Sequence, residues 1–100
     1  MKQETLPQII IKYSNNYDDL NFLYEDYCFF QDLIYDKTKN ETLIFYAIKT
    51  SNKTLFDFLL EKNCDINHKN KFGYTPIKCA NNNKDRYFYD KLIINNQSTS

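Results

Sequence analysis

Apolar and polar residues alternate with a helical period in two neighbouring segments of the chain. Between Thr42 and Thr50 the apolar residues crowd onto one side of a short predicted helix. Between Lys53 and Lys62 they recur at i, i+3 and i+4, which is typical of an amphipathic helix. The polar residues 49–53 lie between the two and indicate a turn. The pattern therefore predicts a hairpin of two helices, followed by a polar, turn-rich loop.

Residues at the ends of these segments favour similar boundaries. Thr54 is a candidate N-cap of the second helix, and Asn63 suits the left-handed conformation that often ends a helix. Thr75 and Pro76 indicate a new helix start, because Thr can cap and Pro fits the first helical position. We therefore expect the helical pattern to begin again after residue 74.

The pattern repeats along the chain at a constant offset. Residues of one unit fall on chemically similar residues of the next, the aligned pairs being Thr42 and Thr75, Ile44 and Ile77, Ala47 and Ala80, Leu55 and Phe88, and Leu59 and Leu92. A period of about 33 residues is typical of proteins built from stacked supersecondary units. Such units bury their apolar faces only against one another, so about three are needed for stability.

This repeat resembles the signature of the ankyrin-repeat family, which reads Gly-x-Thr-Pro-Leu-His-x-Ala, then Leu-Leu, then Gly-Ala-Asp-x-Asn. The chain keeps Gly73, Thr75, Pro76, Ala80, Leu59, Leu60, Asp65 and Asn67. The resemblance implies an all-α fold class, an ankyrin-like solenoid of stacked helix-turn-helix repeats with projecting hairpin loops. The chain departs from the family at the histidine that ties neighbouring loops together and at three glycines. The replacing residues are Phe45, Lys78, Ser51, Lys84 and Asn63.

The resemblance places a single ankyrin-repeat-like domain over residues 1–94. Residues 7–39 would be a divergent first repeat, residues 40–72 a second repeat and residues 73–94 a C-terminal capping repeat. Residues 95–100 lack apolar side chains, so we expect a disordered tail there.

The first repeat is the least regular part of the pattern. A helix is expected to start at Pro7, and a longer one is expected over Tyr17–Leu33, with Asp18 or Asp19 as its cap. Residues Ile34–Glu41 then take the place of the loop.

Composition and charge exclude several other classes of protein. The chain has 100 residues, room for one small domain. Thirteen basic residues balance thirteen acidic ones, so the positive excess typical of nucleic-acid binding is missing. A single glycine excludes glycine-rich phosphate loops. The longest aliphatic run, Ile9–Ile11, is too short to span a membrane, and no secretion signal is evident. We expect a cytoplasmic, reducing environment.

The residues that could carry chemistry do not form a catalytic set. We expect Cys28, Cys64 and Cys79 to be reduced thiols buried as small apolar groups. Together with His68 they have the composition of a structural zinc site, but no Cys-x-x-Cys pair supports one. His68 is expected to be a solvated residue of an exposed loop, not a base beside a nucleophile. We therefore predict no metal, no cofactor and no enzymatic activity.

The remaining candidate is a binding surface formed by the loop tips and by the concave face of the first helices. Loop-tip residues do little for a core, so they are free for recognition. Aromatic side chains anchor many interfaces, although Phe72 and Tyr74 could instead pack between neighbouring loops. The predicted partner-binding residues are Lys39, Glu41, Lys49, Lys69, Lys71, Phe72, Tyr74 and Asn82.

These observations predict a non-catalytic protein–protein interaction module, and its lysines favour a protein partner with an acidic face. One alternative is a small stand-alone inhibitor or immunity-type protein that blocks an enzyme. Another is self-association of two copies through the apolar C-terminal helix over residues 84–94. Neither nucleic acid nor a membrane is expected as a partner.

Overall fold

The structure, a computed structural model, describes residues 5–27 and 30–97, and the side chains of residues 5–27 and 30–95. Within these residues six α-helices, one 3-10 turn and one pair of strands follow one another. The helices are α1 Leu6–Lys12, α2 Tyr17–Asp26, α3 Leu43–Lys49, α4 Lys53–Glu61, α5 Pro76–Asn81 and α6 Arg86–Gln97. The 3-10 turn covers Phe30–Asp32, and the strands are β1 Ile34–Asp36 and β2 Glu41–Thr42.

The prediction of an all-α, ankyrin-like solenoid is wrong, because the fold is a small globule of mixed α and β structure. β1 and β2 pair antiparallel, with Ile34 opposite Thr42. Residues 37–40 form the turn between them, closed by Asp36 Oδ1, which accepts hydrogen bonds from the backbone N–H groups of Thr38 and Lys39. A β-branched and an aromatic residue favour the extended backbone of β1. The strand is only three residues long, too short for its pattern to be distinguished from a loop.

The helix pairs α3–α4 and α5–α6 keep the constant offset found in the sequence, since they begin at residues 43 and 76 and at residues 53 and 86. α3 packs against both α4 and α5, and α5 packs against α6. Ala47 on α3 and Ala80 on α5 are buried, and small side chains let two helices approach closely. The sequence period therefore describes the spacing of these two helix pairs.

Two helices are capped by residues other than the predicted ones. Asn52, not Thr54, is the N-cap of α4, and its side chain accepts a hydrogen bond from a backbone N–H of the first turn. Asn16, not Asp18 or Asp19, caps α2 by accepting from two backbone N–H groups. In both cases an asparagine offers the same kind of oxygen acceptor that was expected from a hydroxyl or a carboxylate.

Other helix ends agree more closely with the sequence pattern. α1 begins one residue before Pro7, with Thr5 and a glutamine three residues later forming a reciprocal capping box. Pro76 is the first residue of α5; Thr75 occupies the N-cap position, without a side-chain hydrogen bond. Asn63 has the predicted left-handed conformation after α4, with a φ of 60°.

Two segments have different bounds from those predicted. The helix expected over residues 17–33 ends at Asp26, and a separate 3-10 turn follows over Phe30–Asp32. Cys28 lies outside the described residues. A disordered tail was expected from residue 95, but α6 continues to Gln97. Residues 98–100 lie outside the described part of the chain.

The core is rich in phenylalanine and joins the N-terminal third of the chain to the helix pairs. The fully buried Phe58 of α4 lies at this junction. Its ring meets Tyr17 and Tyr24 of α2 edge-on, with centroids 5.3 and 5.8 Å away, and it stacks on Phe30 at 5.7 Å. Such ring pairs add to the free energy gained from burial.

Candidate functional site

A cleft of about 410 Å³ is lined by residues of the β1–β2 hairpin, of the loop over residues 62–75, of α3, and of α5 and its C-terminal end. We call it the loop cleft, and it is lined by Lys39, Glu41, Ile48, Lys49, Asn70, Phe72, Tyr74, Cys79, Asn82 and Asn83. Six of the eight predicted partner-binding residues are among them, namely Lys39, Glu41, Lys49, Phe72, Tyr74 and Asn82. The structure therefore brings most of the predicted surface together around one concavity.

Glu41 was predicted to be an exposed, partner-binding residue, but only 1% of its surface is exposed. Its Oε1 accepts a 2.7 Å charged hydrogen bond from Lys49 Nζ, and its Oε2 accepts a 2.8 Å hydrogen bond from Asn70 Nδ2. A buried charge requires such partners. The side chain therefore organises the cleft from inside and does not present itself to a partner, which corrects the prediction for this residue.

Asn70 fixes the shape of the loop that carries the aromatic residues. Its Oδ1 accepts hydrogen bonds of 2.9 Å from the backbone N–H groups of both Phe72 and Tyr74. Its own backbone N–H donates to the carbonyl of Tyr74, and Gly73 reverses the chain with a φ of 80°. Because Asn70 also donates to Glu41, residues 70–74 are tied directly to the hairpin and to α3.

Phe72 and Tyr74 project from this loop at the rim of the cleft. They are 60% and 48% exposed, and their ring centroids are 6.4 Å apart. The ammonium group of Lys78 lies 5.8 Å from the centroid of the Tyr74 ring. This exposure does not fit the alternative that the two rings are packed between neighbouring loops.

Hydrogen bonds to backbone carbonyl groups join the two loops at their tips. The N–H of Lys71 donates to the carbonyl of Lys39 at 2.8 Å, and Asn40 Nδ2 approaches the carbonyl of Lys69 at 3.4 Å. The side chains of Lys69 and Lys71 are exposed and do not line the cleft. These two predicted residues therefore extend the surface beyond the rim.

His68 also joins the loops, which corrects the prediction of a solvated residue. Its Nε2 lies 2.8 Å from the carbonyl oxygen of Asn40, and a carbonyl oxygen can only accept, so Nε2 carries the hydrogen of this bond. Its ring also meets the ring of Phe45 edge-on. His68 therefore ties the loop over residues 62–75 to the hairpin.

The floor and far side of the cleft come from the ends of α3 and α5. Asn83 Nδ2 donates a 2.7 Å hydrogen bond to the carbonyl of Ile48, which fixes the end of α5 against the end of α3. Asn82 is exposed beside it. Ile48 and Cys79 also line the cleft, and neither was predicted, because an apolar residue in a helix is ordinarily a core residue.

The thiol in the cleft is a poor nucleophile. Burial raises the pKa of Cys79, with a further increase from the Glu41 carboxylate and a partial decrease from the Lys49 ammonium group. A thiol that stays protonated at neutral pH does not attack readily. In the described part of the chain, no three His, Cys, Asp or Glu side chains come together as a metal site requires. What the cleft offers is hydrogen bonding, aromatic surface and charge.

The charged side chains around the loop cleft are mostly positive. Residues 66–84 contain four lysines but no aspartate or glutamate, and Lys39 adds a further positive charge from the hairpin. The carboxylate of Glu41 does not offset these groups, because it is buried and paired with Lys49. The surface around the loop cleft is therefore basic, although the chain as a whole is neutral.

Comparisons of the chain with protein-family models, with curated proteins and with solved structures found no match. The resemblance to the ankyrin-repeat family therefore stays a prediction. Among the described residues, no helix has the length and apolar content needed to cross a bilayer.

Proposed function

We propose that this protein is a non-catalytic interaction module that binds a segment of a partner protein in the loop cleft. The observation that carries the proposal is the pair Phe72 and Tyr74, two exposed aromatic side chains on a loop fixed by Asn70. Aromatic residues beside a concavity are typical of interface hot spots. A loop already fixed in one shape loses little conformational entropy when a partner binds.

The charges around the cleft favour a partner segment with acidic side chains. Lys39 lines the cleft, Lys71 precedes Phe72 in the chain, and the ammonium group of Lys78 lies near the Tyr74 ring. The carboxylate of Glu41 is already paired with Lys49. Carboxylates of a partner would therefore meet unbalanced positive charge at the rim, while an apolar side chain would cover the two rings. Such charge pairing sets specificity and speeds association, and it weakens as salt is added.

The volume of the cleft limits the size of the bound segment. At about 410 Å³ it lies at the lower end of the range typical of binding pockets, enough for one or two side chains. Contacts of this size belong to the weak, transient class of interfaces. We therefore expect recognition of a short linear segment with modest affinity.

A phage-display library of random linear peptides tests this proposal without knowledge of the natural partner. Selection on the intact protein should enrich peptides that combine Asp or Glu with an aromatic or aliphatic residue. The tightest peptide should bind the double variant Phe72→Ala/Tyr74→Ala about tenfold or more weakly. The matched control is Tyr27→Ala, which removes a 47% exposed ring outside the cleft and should leave the affinity unchanged.

Two results would overturn the proposal. One is a selected pool that binds the wild-type protein and Phe72→Ala/Tyr74→Ala equally well. The other is a pool without acidic enrichment whose affinity does not change in Lys39→Glu/Lys71→Glu. Circular dichroism of each variant confirms that a loss of binding is not a loss of fold.

A further inference from the structure

A second exposed aromatic residue lies on α2, in surroundings of the opposite charge. Phe22 is 67% exposed. Residues three and four positions away on a helix are surface neighbours. All four of these neighbours of Phe22 are acidic, namely Asp18, Asp19, Glu25 and Asp26. We call these five residues the acidic face.

The acidic face belongs to a longer segment of one charge. Residues 13–36 carry six carboxylates and no lysine, arginine or histidine. A groove of about 260 Å³ beside α2 is lined by Tyr13, Asp19, Phe22 and Leu23. The opposite side of α2 is covered, since Leu20 is fully buried and the helix packs on α4. An aromatic residue surrounded by carboxylates is thus left on the outside of the fold.

The loop cleft is the chemical counterpart of this face. It presents Phe72 and Tyr74 beside Lys39, where the acidic face presents Phe22 beside carboxylates. Two lysines outside the cleft lining are close to these rings, since Lys71 precedes Phe72 in the chain and Lys78 lies near the Tyr74 ring. No residue of α1 or α2 lines the cleft, so the two surfaces are separate. The neutral net charge of the chain arises from segments of opposite sign that occupy different parts of the molecule.

We propose that the acidic face of one copy docks in the loop cleft of a second copy. Phe22 then covers Phe72 and Tyr74, and the carboxylates of Asp18 and Asp26 face Lys39 and Lys71. The inference rests on the proposed function, because it assigns a second copy as an occupant of the same cleft. Complementary charges align the two surfaces, and the zero net charge means that copies do not repel one another overall.

This contact joins two different surfaces, so it is heterologous. Each added copy leaves one acidic face and one loop cleft free at the ends of the assembly. Heterologous contacts that do not close into a ring give open chains. The expected behaviour is therefore a mass that keeps rising with concentration and does not stop at a dimer. The contact is small, and its charges are exposed, so association requires high concentration and low salt.

Sedimentation velocity of the intact chain over a concentration series measures this association. At low salt the average mass should rise past that of two chains, and at about 0.5 M NaCl it should return to the 12.1 kDa of one chain. Phe22→Ala should lower the association constant about tenfold or more. Ile94→Ala, which truncates a similarly exposed side chain on α6, should leave it unchanged.

Charge exchange gives a sharper test. The variants Asp18→Lys/Asp26→Lys and Lys39→Glu/Lys71→Glu should each be monomeric alone. An equimolar mixture of the two should associate again, because each surface then has a partner of opposite charge. The control Glu61→Lys/Asp90→Lys exchanges two exposed charges outside both surfaces and should associate as the wild type does. Circular dichroism melting confirms that every variant is folded.

A wild-type mass of one chain at every concentration would overturn the inference. Association that survives both charge exchanges would overturn it as well. So would association that is abolished by Ile94→Ala, because that result indicates pairing through α6. The peptide selection separates this inference from the proposed function. If the chain stays monomeric while acidic peptides still bind the loop cleft, only the assignment of a second copy is wrong. If Phe72→Ala/Tyr74→Ala leaves peptide binding unchanged, the proposed function is wrong as well.

Discussion

Glu41 and Asn70 lie 29 residues apart in the chain, and a 2.8 Å hydrogen bond joins their side chains beneath the loop cleft. The bond connects strand β2 to the loop that displays Phe72 and Tyr74. Lys49 completes the group from α3 with its ion pair to the same carboxylate. Three elements of the fold therefore meet at one buried glutamate, and the position of the exposed aromatic rings depends on it.

Replacing Glu41 should destabilise the whole domain. Glu41→Ala leaves the Asn70 amide without its acceptor and Lys49 without its counter-ion. Because the Lys49 side chain is 40% exposed and can be solvated, we expect a loss of about 2 kcal/mol in the free energy of unfolding, below the cost of breaking a fully buried pair. Urea denaturation measures it. Glu61→Ala, at an exposed position, is the control and should stay within about 0.5 kcal/mol. An equally small effect of Glu41→Ala would show that the buried group does not stabilise the fold.

Replacing Asn70 should release the loop without unfolding the protein. In Asn70→Ala the backbone N–H groups of Phe72 and Tyr74 lose their common acceptor. Amide hydrogen exchange followed by NMR should show both amides exchanging about tenfold faster or more, because local opening is no longer opposed by these bonds. Asn82→Ala, at an exposed residue of the same cleft, should not change their exchange. Unchanged protection in Asn70→Ala would mean that other contacts fix the loop.

The free energy of unfolding of the protein should decrease as the pH rises above 9. Burial, followed by the nearby Asp32 and Asp65 carboxylates, raises the pKa of Cys64 from 9.0 to about 12. Well below pH 9 the thiol is protonated in both the folded and the unfolded state, so its contribution to stability is constant. Above pH 9 the unfolded chain loses this proton while the folded chain keeps it, and stability is lost until the folded pKa is passed. The burial of Cys79 acts in the same direction.

Urea denaturation at several pH values between 9 and 10.5, with a reducing agent present, measures this effect. The slope from Cys64 alone is about 1.4 kcal/mol for each pH unit. The free energy of unfolding of Cys64→Ala should fall with pH less steeply than that of the wild type, by about that amount. This difference in slope does not depend on what the substitution costs at neutral pH. Parallel curves for the two proteins would contradict the burial of this thiol.

Truncation of Phe58 tests the junction between the N-terminal third and the helix pairs. Phe58→Ala removes a fully buried ring that contacts two tyrosines of α2 and Phe30. We expect a loss of about 3–5 kcal/mol, enough to unfold much of a domain of this size. Phe58→Leu should cost clearly less, since it refills part of the space. A change below about 1 kcal/mol in Phe58→Ala, measured by thermal denaturation, would show that residues 5–33 do not pack as described.

The helix pairs α3–α4 and α5–α6 could be predicted from the sequence alone, whereas the β1–β2 hairpin could not. α3 and α4 are long enough for their apolar period to be recognised, and the constant offset between the two units provided a second, independent indication for α5 and α6. β1 has three residues and β2 has two, so neither can show an alternating pattern. Their pairing depends on the turn between them, where Asp36 accepts backbone hydrogen bonds that no periodicity reveals.

The candidate site also contains some residues whose exposure could be predicted from the sequence and others whose burial could not. Lys39, Lys69 and Lys71 were predictable as exposed loop residues, because loops lie outside the core. For Phe72 and Tyr74 the sequence left both exposure and packing between loops open. Glu41 and Asn70 were not predictable as buried partners. A polar residue in a loop is ordinarily solvated, and only the approach of two loops gives these side chains each other as hydrogen-bonding partners. The acidic neighbours of Phe22 were visible in the sequence, but two of them were equally good candidates for helix caps.

Titration of the isotope-labelled protein with the tightest selected peptide, followed by NMR, tests most directly whether the loop cleft is the binding surface. Chemical-shift changes should concentrate at residues 39–41, 48–49, 70–74 and 79–83, and Glu41→Ala, where it remains folded, should bind more weakly than the wild type. Shift changes confined to α1, α2 or α6, with residues 70–74 unaffected, would contradict the assignment of this cleft.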